Sequence, residues 1–139
     1  ELARCNGVAD RIQIKGACTS ETLALELLSG RTPLLLVDIE GGEIALLDPG
    51  RLPALRNCPM LIELHEDQHP AADILRARFF DSHDITERWT RPRTWRDLPP
   101  LLRAVARLTG SRRLVNAMSE ARPKPMRWFH CVPRSTPAA

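Results

Sequence analysis

Apolar residues fall in short runs along this chain, and the two clearest runs end in acids. Residues 33 to 39 carry Leu34, Leu35, Leu36 and Val37 without interruption, followed at once by Asp38, Ile39, Glu40, Gly41, Gly42 and Glu43. Four consecutive apolar side chains predict a strand covered on both faces. Residues 60 to 65, Met60-Leu61-Ile62-Glu63-Leu64-His65, repeat the pattern about two dozen positions later. Runs of this kind, separated by short helical segments, predict neighbouring strands of an α/β sheet whose carboxyl ends share one rim. Such rims are where these folds bind ligands.

Weaker signals fill in the rest. Residues 1 to 5 read as the end of a helix stopped by Asn6-Gly7. Ile12, Ile14 and Ala17 alternate with polar Gln13 and Lys15, which predicts a short strand over residues 11 to 17. Thr19 or Ser20 caps a helix over residues 21 to 29; with Thr22 three positions after Thr19, no reciprocal capping box is expected. A helix starting at Glu43 is interrupted by Pro49 and Gly50, and a second short helix over residues 51 to 57 carries Leu52 and Leu55. Pro70 opens a helix whose Ile74, Leu75 and Phe79 face the sheet. Residues 83 to 89 read as a strand, 92 to 98 as a loop, and Pro99-Pro100 as the entry to a helix ending at Gly110. Another helical turn or two follows over 111 to 120, then a last strand over 126 to 132, with Pro133 onward as a frayed tail.

The 139 residues suit one domain with one core, spanning residues 1 to 139. With 43% hydrophobic and 27% charged residues, the composition is that of a folded protein. No apolar run approaches membrane-spanning length and residues 1 to 15 carry no leader pattern, so a cytoplasmic location with no membrane partner is expected. Cys5, Cys18, Cys58 and Cys131 lack a C-x-x-C pairing and read as buried free thiols. The net charge of +3 is uneven, with Arg88, Arg91, Arg93, Arg96, Arg103, Arg107, Arg112 and Arg113 in the second half. They either solvate a surface or face an anionic partner. Trp89, Trp95 and Trp128 read as packing residues, and no reading helix or aromatic platform signals nucleic acid.

The acidic rim carries the candidate chemistry. Asp38 and Glu40, two residues apart, share a face if the strand continues that far, and the glycines let backbone approach a ligand. Glu63 and His65 repeat the spacing, so the four form a candidate polar pocket able to bind a cation, accept hydrogen bonds or act as a base. Glu43 sits where a first-turn acid favours a helix start. Structural roles stay open for all of them, since loop acids and histidines also fix backbone. No metal is assigned from these spacings, and His69, His83 and His130 read as loop or surface residues. The chain has no G-x-S-x-G elbow and no glycine-rich phosphate loop.

At Val37-Asp38-Ile39-Glu40-Gly41-Gly42-Glu43 the chain resembles the FkbM-type branch of S-adenosylmethionine-dependent methyltransferases, where a D-x-E-G-x-E segment follows the fourth sheet strand. Leu61-Ile62-Glu63-Leu64-His65-Glu66 is similar to that family's next strand. Asn6-Gly7-Val8, Arg11-Ile12-Gln13-Ile14 and Gly16-Ala17 are similar to the stretch leading into its third. The resemblance implies a partial Rossmann-like methyltransferase sheet, mostly parallel with an antiparallel terminal strand, taken from the order 3-2-1-4-5-7-6. It implies methyl transfer from S-adenosylmethionine to a hydroxyl of a small molecule or sugar. Asp38, Glu40, Glu63 and His65 would be its catalytic residues, and Ala17, Asp38 and Glu40 would lie on the cofactor side. The family's glycine-rich first strand and its acidic second strand are not among these residues, which implies a homo-oligomer, a rearranged strand 11 to 17, or a segment preceding residue 1. This chain alone is then expected to be inactive. The rival expectation is a noncatalytic α/β interaction module; a metal-dependent hydrolase is a more distant one.

Overall fold

The computed structural model describes residues 1–30, 33–65, 70–110, 112–118 and 125–134. A four-stranded sheet organises them, built from β1 (Leu35–Val37), β2 (Met60–Leu64), β3 (His83–Trp89) and β4 (Arg127–Pro133) in the order β1-β2-β4-β3. β1 and β2 are parallel, with Leu35 opposite Met60 and Val37 opposite Ile62. β4 runs antiparallel to both its neighbours, pairing Glu63 with Trp128 and Thr86 with His130. The sheet is therefore mixed. As expected, the terminal strand β4 is the antiparallel one while β1, β2 and β3 share a direction; because β4 inserts between β2 and β3, two of the three pairings are antiparallel.

One face holds the core. Val37, Met60, Ile62, Leu64, Phe129 and Cys131 point to it from the strands. Helix α4 (Ala71–Phe79) covers them with Ala71, Ala72, Leu75 and Phe79; Leu75 and Phe79 are as expected, whereas Ile74 is only half-buried and outside this core. Fully burying an aromatic or aliphatic side chain contributes about 1.5–3 kcal/mol, and Phe79, Phe129, Ile62 and Leu75 are all completely enclosed. Leu23 from α2 (Ser20–Leu27), Leu55 from a 3-10 turn at Pro53–Asn57 and Leu52 just before that turn close the edge of this layer. The opposite face is largely bare beside β1: Leu34 and Leu36 are 67% and 68% exposed. The expected cover on both faces of this strand is thus corrected to cover on one.

Other expectations also change. Residues 12 to 17 form no strand; Ile12 and Ile14 are exposed, and β1 is the outer strand of the described sheet. Helix α2 does have a reciprocal cap, because the Thr22 hydroxyl accepts from the Thr19 amide at 2.8 Å while Thr19 Oγ1 accepts from the Thr22 amide at 3.3 Å. A threonine performs the part usually taken by a longer acid or amide. Cys58 and Cys131 are buried as expected, and burial pushes the Cys131 thiol up to about 12, but Cys5 and Cys18 are exposed. Pro133 still pairs with His83, and the Arg134 amide donates to the Ser82 carbonyl at 2.8 Å, so order extends past the expected fraying point. The described residues also form helices α1 (Leu2–Cys5), α3 (Glu43–Leu46), α5 (Pro100–Thr109) and α6 (Arg112–Met118) and 3-10 turns at Ala9–Arg11 and Trp95–Asp97.

Candidate functional site

Parallel pairing brings the carboxyl ends of β1 and β2 to one rim. Beyond Val37 the chain reverses through two consecutive left-handed residues, Glu40 at φ 50° and Gly41 at φ 97°. Glycine adopts that conformation freely, whereas a residue with a β-carbon is held there at a cost of about 1–2 kcal/mol. The turn feeds α3 (Glu43–Leu46), whose first residue, Glu43, is fully buried. Glu43 Oε1 accepts the Gly41 amide at 3.2 Å. From α4, Arg78 donates to the Leu47 carbonyl at 3.1 Å and to the Ile44 carbonyl, and pairs with Asp48 at 3.3 Å. This four-residue helix is therefore fixed at both ends, and Glu43 with it.

His65, just past β2, is where the rim converges. Its Nδ1 lies 2.7 Å from Glu43 Oε1. A carboxylate can only accept, so Nδ1 carries the proton and, in the neutral ring, Nε2 keeps a free lone pair. That Nε2 faces Glu40 Oε2 at 3.4 Å and Asp38 Oδ1 at 3.7 Å. Burial alone would lower the His65 pKa. The hydrogen bond to Glu43 and the charges of Glu43, Glu40 and Glu63 outweigh it and raise the value. The His65 side chain is 11% exposed, against 47% for Asp38 and 81% for Glu40, so the open side of the cluster is made of carboxylates.

Three of the residues singled out from the sequence, Asp38, Glu40 and His65, thus meet at one place, and Glu63 is near enough for its charge to act on His65. The convergence of Asp38 and Glu40 comes from the turn, since β1 ends at Val37 before either residue. Register sets the two segments side by side as far as Val37 opposite Ile62, and the turn beyond it brings the Asp38 and Glu40 carboxylates against His65. Glu63 is buried within β2, and its charge acts on His65. Ala17 is exposed in the segment before α2 and has no part in the cluster around His65. Glu43 joins the site as the partner of His65 rather than as a solvated first-turn acid. The signal for it was weak, because the two residues are 22 apart and only the parallel pairing unites them.

The remaining histidines and tryptophans divide differently. His83 is buried rather than a surface residue: its Nε2 donates to the Cys58 carbonyl at 2.9 Å and its Nδ1 lies 2.9 Å from Ser82 Oγ. His130 is exposed on β4, and His69 lies outside the described residues. Trp89 is 57% exposed and Trp95 37%, so neither is a core residue. Arg127 lies 5.4 Å from the Trp89 ring and pairs with Glu87 at 2.8 Å, and Arg91 pairs with Asp97, so part of the arginine-rich half is engaged within the chain. Among the described residues no helix is long and apolar enough to cross a membrane. No protein-family model, curated protein or solved structure matches this chain.

Proposed function

We propose that these residues form the acceptor side of an S-adenosylmethionine-dependent O-methyltransferase acting on a hydroxyl of a small molecule or sugar. The observation that carries this reading is His65 Nε2, turned by the bond from Nδ1 to Glu43 toward Asp38 and Glu40 at the carboxyl rim of two parallel strands. The strand order supports it as well: β1-β2-β4-β3 is what the 4-5-7-6 half of the FkbM-type sheet would give.

The cofactor supplies an electrophilic methyl group on a positively charged sulfur. The exposed carboxylates of Asp38 and Glu40 suit a cationic neighbour, whereas the glycine-rich strand and ribose-binding acid are not among these residues. In this reading Nε2 of His65 would take the proton of the acceptor hydroxyl as that oxygen received the methyl group the cofactor would supply. Glu43 holds the imidazole in the basic tautomer and stabilises the imidazolium that results. Asp38 and Glu40 orient the hydroxyl. Activity therefore belongs to a protein in which a cofactor-binding strand accompanies these elements, and this chain alone is inactive. The same incompleteness would leave β1 as an open edge with bare Leu34 and Leu36, which is also what a noncatalytic interaction module would expose.

The test is methyl transfer from labelled S-adenosylmethionine by the product of the whole reading frame that encodes these residues, over a panel of sugars and small alcohols. Expected is turnover that falls at least a hundredfold on His65→Ala while S-adenosylhomocysteine binding persists. A folded product that binds no S-adenosylhomocysteine overturns the reading in favour of an interaction module.

A further inference from the structure

We propose that Asp38, Glu40 and His65 form a binding site for a divalent first-row transition-metal ion, with Glu43 as the buried partner that orients its histidine. The three side chains each offer one ligand atom, and these atoms lie within 4.8 Å of one another. Ligand atoms about 2.1 Å from a shared ion stand roughly 3.4 Å apart in a tetrahedron and closer to 3.0 Å when adjacent in an octahedron. The separations of 3.4 Å and 3.7 Å from Nε2 to the two carboxylates are within a small side-chain adjustment of these values.

The imidazole is already set as a ligand. Its Nδ1 proton is held by a carboxylate, which directs the Nε2 lone pair outward at the other two acids, the arrangement that tunes histidine ligands in metalloproteins. A second observation points the same way. Glu43 is wholly buried, yet its Oε2 has no hydrogen-bond partner among the described residues. No lysine or arginine among them pairs with Asp38, Glu40 or Glu43 either. A buried carboxylate beside two further acids needs positive charge nearby, and a dication on Nε2 supplies it through the ring. One imidazole with two carboxylates favours Mn²⁺, Fe²⁺ or Zn²⁺ over Mg²⁺ or Ca²⁺, which prefer all-oxygen sets.

The site is argued from this chain's own atoms and stands whether or not methyl transfer does. Occupied, it would exchange a proton acceptor for a Lewis acid, acidifying a coordinated hydroxyl instead of deprotonating it through Nε2. Titrating this chain with Mn²⁺ and following the free-ion electron paramagnetic resonance signal tests it. Expected is one ion per chain, with ¹⁴N hyperfine coupling that disappears in His65→Ala. Affinity should fall at least tenfold in Asp38→Asn and in Glu40→Gln, both at exposed positions where folding is not threatened, and about 10–100-fold in Glu43→Gln. Asp84→Asn, at an acid outside the cluster, should bind like the parent. No binding by folded chain at about 1 mM Mn²⁺, or binding that Asp38→Asn and Glu40→Gln leave unchanged, overturns the proposal.

Discussion

His65 and His83 occupy opposite ends of one sheet, both largely shielded from water, and their surroundings drive them in opposite directions. His83 opens β3 and reaches back to the Cys58 carbonyl just before β2, with its ring edge-on to Phe79 at 5.2 Å. Burial lowers its pKa, and Arg134 and Arg56 lower it further against the opposing bond to Cys58. His65 follows β2 at the other end, and the nearby carboxylates raise its pKa in spite of burial. Burial lowers the pKa of both rings; at His65 the neighbouring carboxylates outweigh it, and at His83 it prevails. The end that closes the core keeps its histidine neutral, while the end where parallel strands stop gathers negative charge around one.

Removing each ring should break the comparison most visibly. His65→Ala leaves Glu43 as a buried carboxylate without its main partner, which is expected to cost about 3 kcal/mol in urea unfolding. Removing the charge at the same time, in Glu43→Leu with His65→Ala, should recover much of that loss, because an apolar pair needs no compensation. If the double variant is as unstable as the sum of the single ones, the pair does not act as a unit. His83→Ala should cost about 2 kcal/mol through lost packing and the orphaned Cys58 carbonyl. Combined with either rim variant it should add within about 0.5 kcal/mol.

Acidity separates the two ends next. For His83 the folded value lies below the ordinary one of about 6.5, so between the two the unfolded chain takes up the proton and the folded chain does not. Stability is then lost as the pH falls through that window. For His65 the folded value lies above the ordinary one, so its contribution is complete below about 6.5 and is lost as the pH rises through the folded value. Each slope is bounded by about 1.4 kcal/mol per pH unit. Urea unfolding across the pH range checks both: His83→Gln should flatten the acid side alone, and His65→Gln the neutral-to-alkaline side alone.

The amino-acid pattern made the centre of this fold legible and its margins much less so. β2 and α4 follow directly from the run at residues 60 to 65 and the stripe of Leu75 and Phe79, where local pattern and burial agree. The alternation of Ile12 and Ile14 misleads because a strand needs a neighbour, and none of the described strands takes residues 12 to 17. Leu34 to Val37 reads as doubly covered for the same reason, since apolar residues at an open edge look identical to buried ones. In the site, the two-residue spacing of Asp38 and Glu40 reads as a strand continuing past Val37, whereas a turn brings both to His65, so the spacing named the right residues for the wrong reason. Glu43 was ambiguous because an acid at a helix start is ordinary, and only tertiary packing distinguishes the buried case.

The smallest effects concern the turn that builds the rim. Gly41 sits at φ 97° with open space around its α-carbon, so Gly41→Ala is limited by backbone conformation alone and should cost about 1 kcal/mol. Glu40, at φ 50°, is strained in the same sense, and Glu40→Gly relieves that strain while loosening the unfolded chain, for a net change within about 0.5 kcal/mol. Its carboxylate, however, is one of the charges that raise the His65 pKa. Imidazole titration by nuclear magnetic resonance should therefore show His65 moving down in Glu40→Gly and His83 standing still. A shift of equal size at His83 would mean that the two ends of the sheet are coupled, and that the rim is not the separate electrostatic unit its geometry describes.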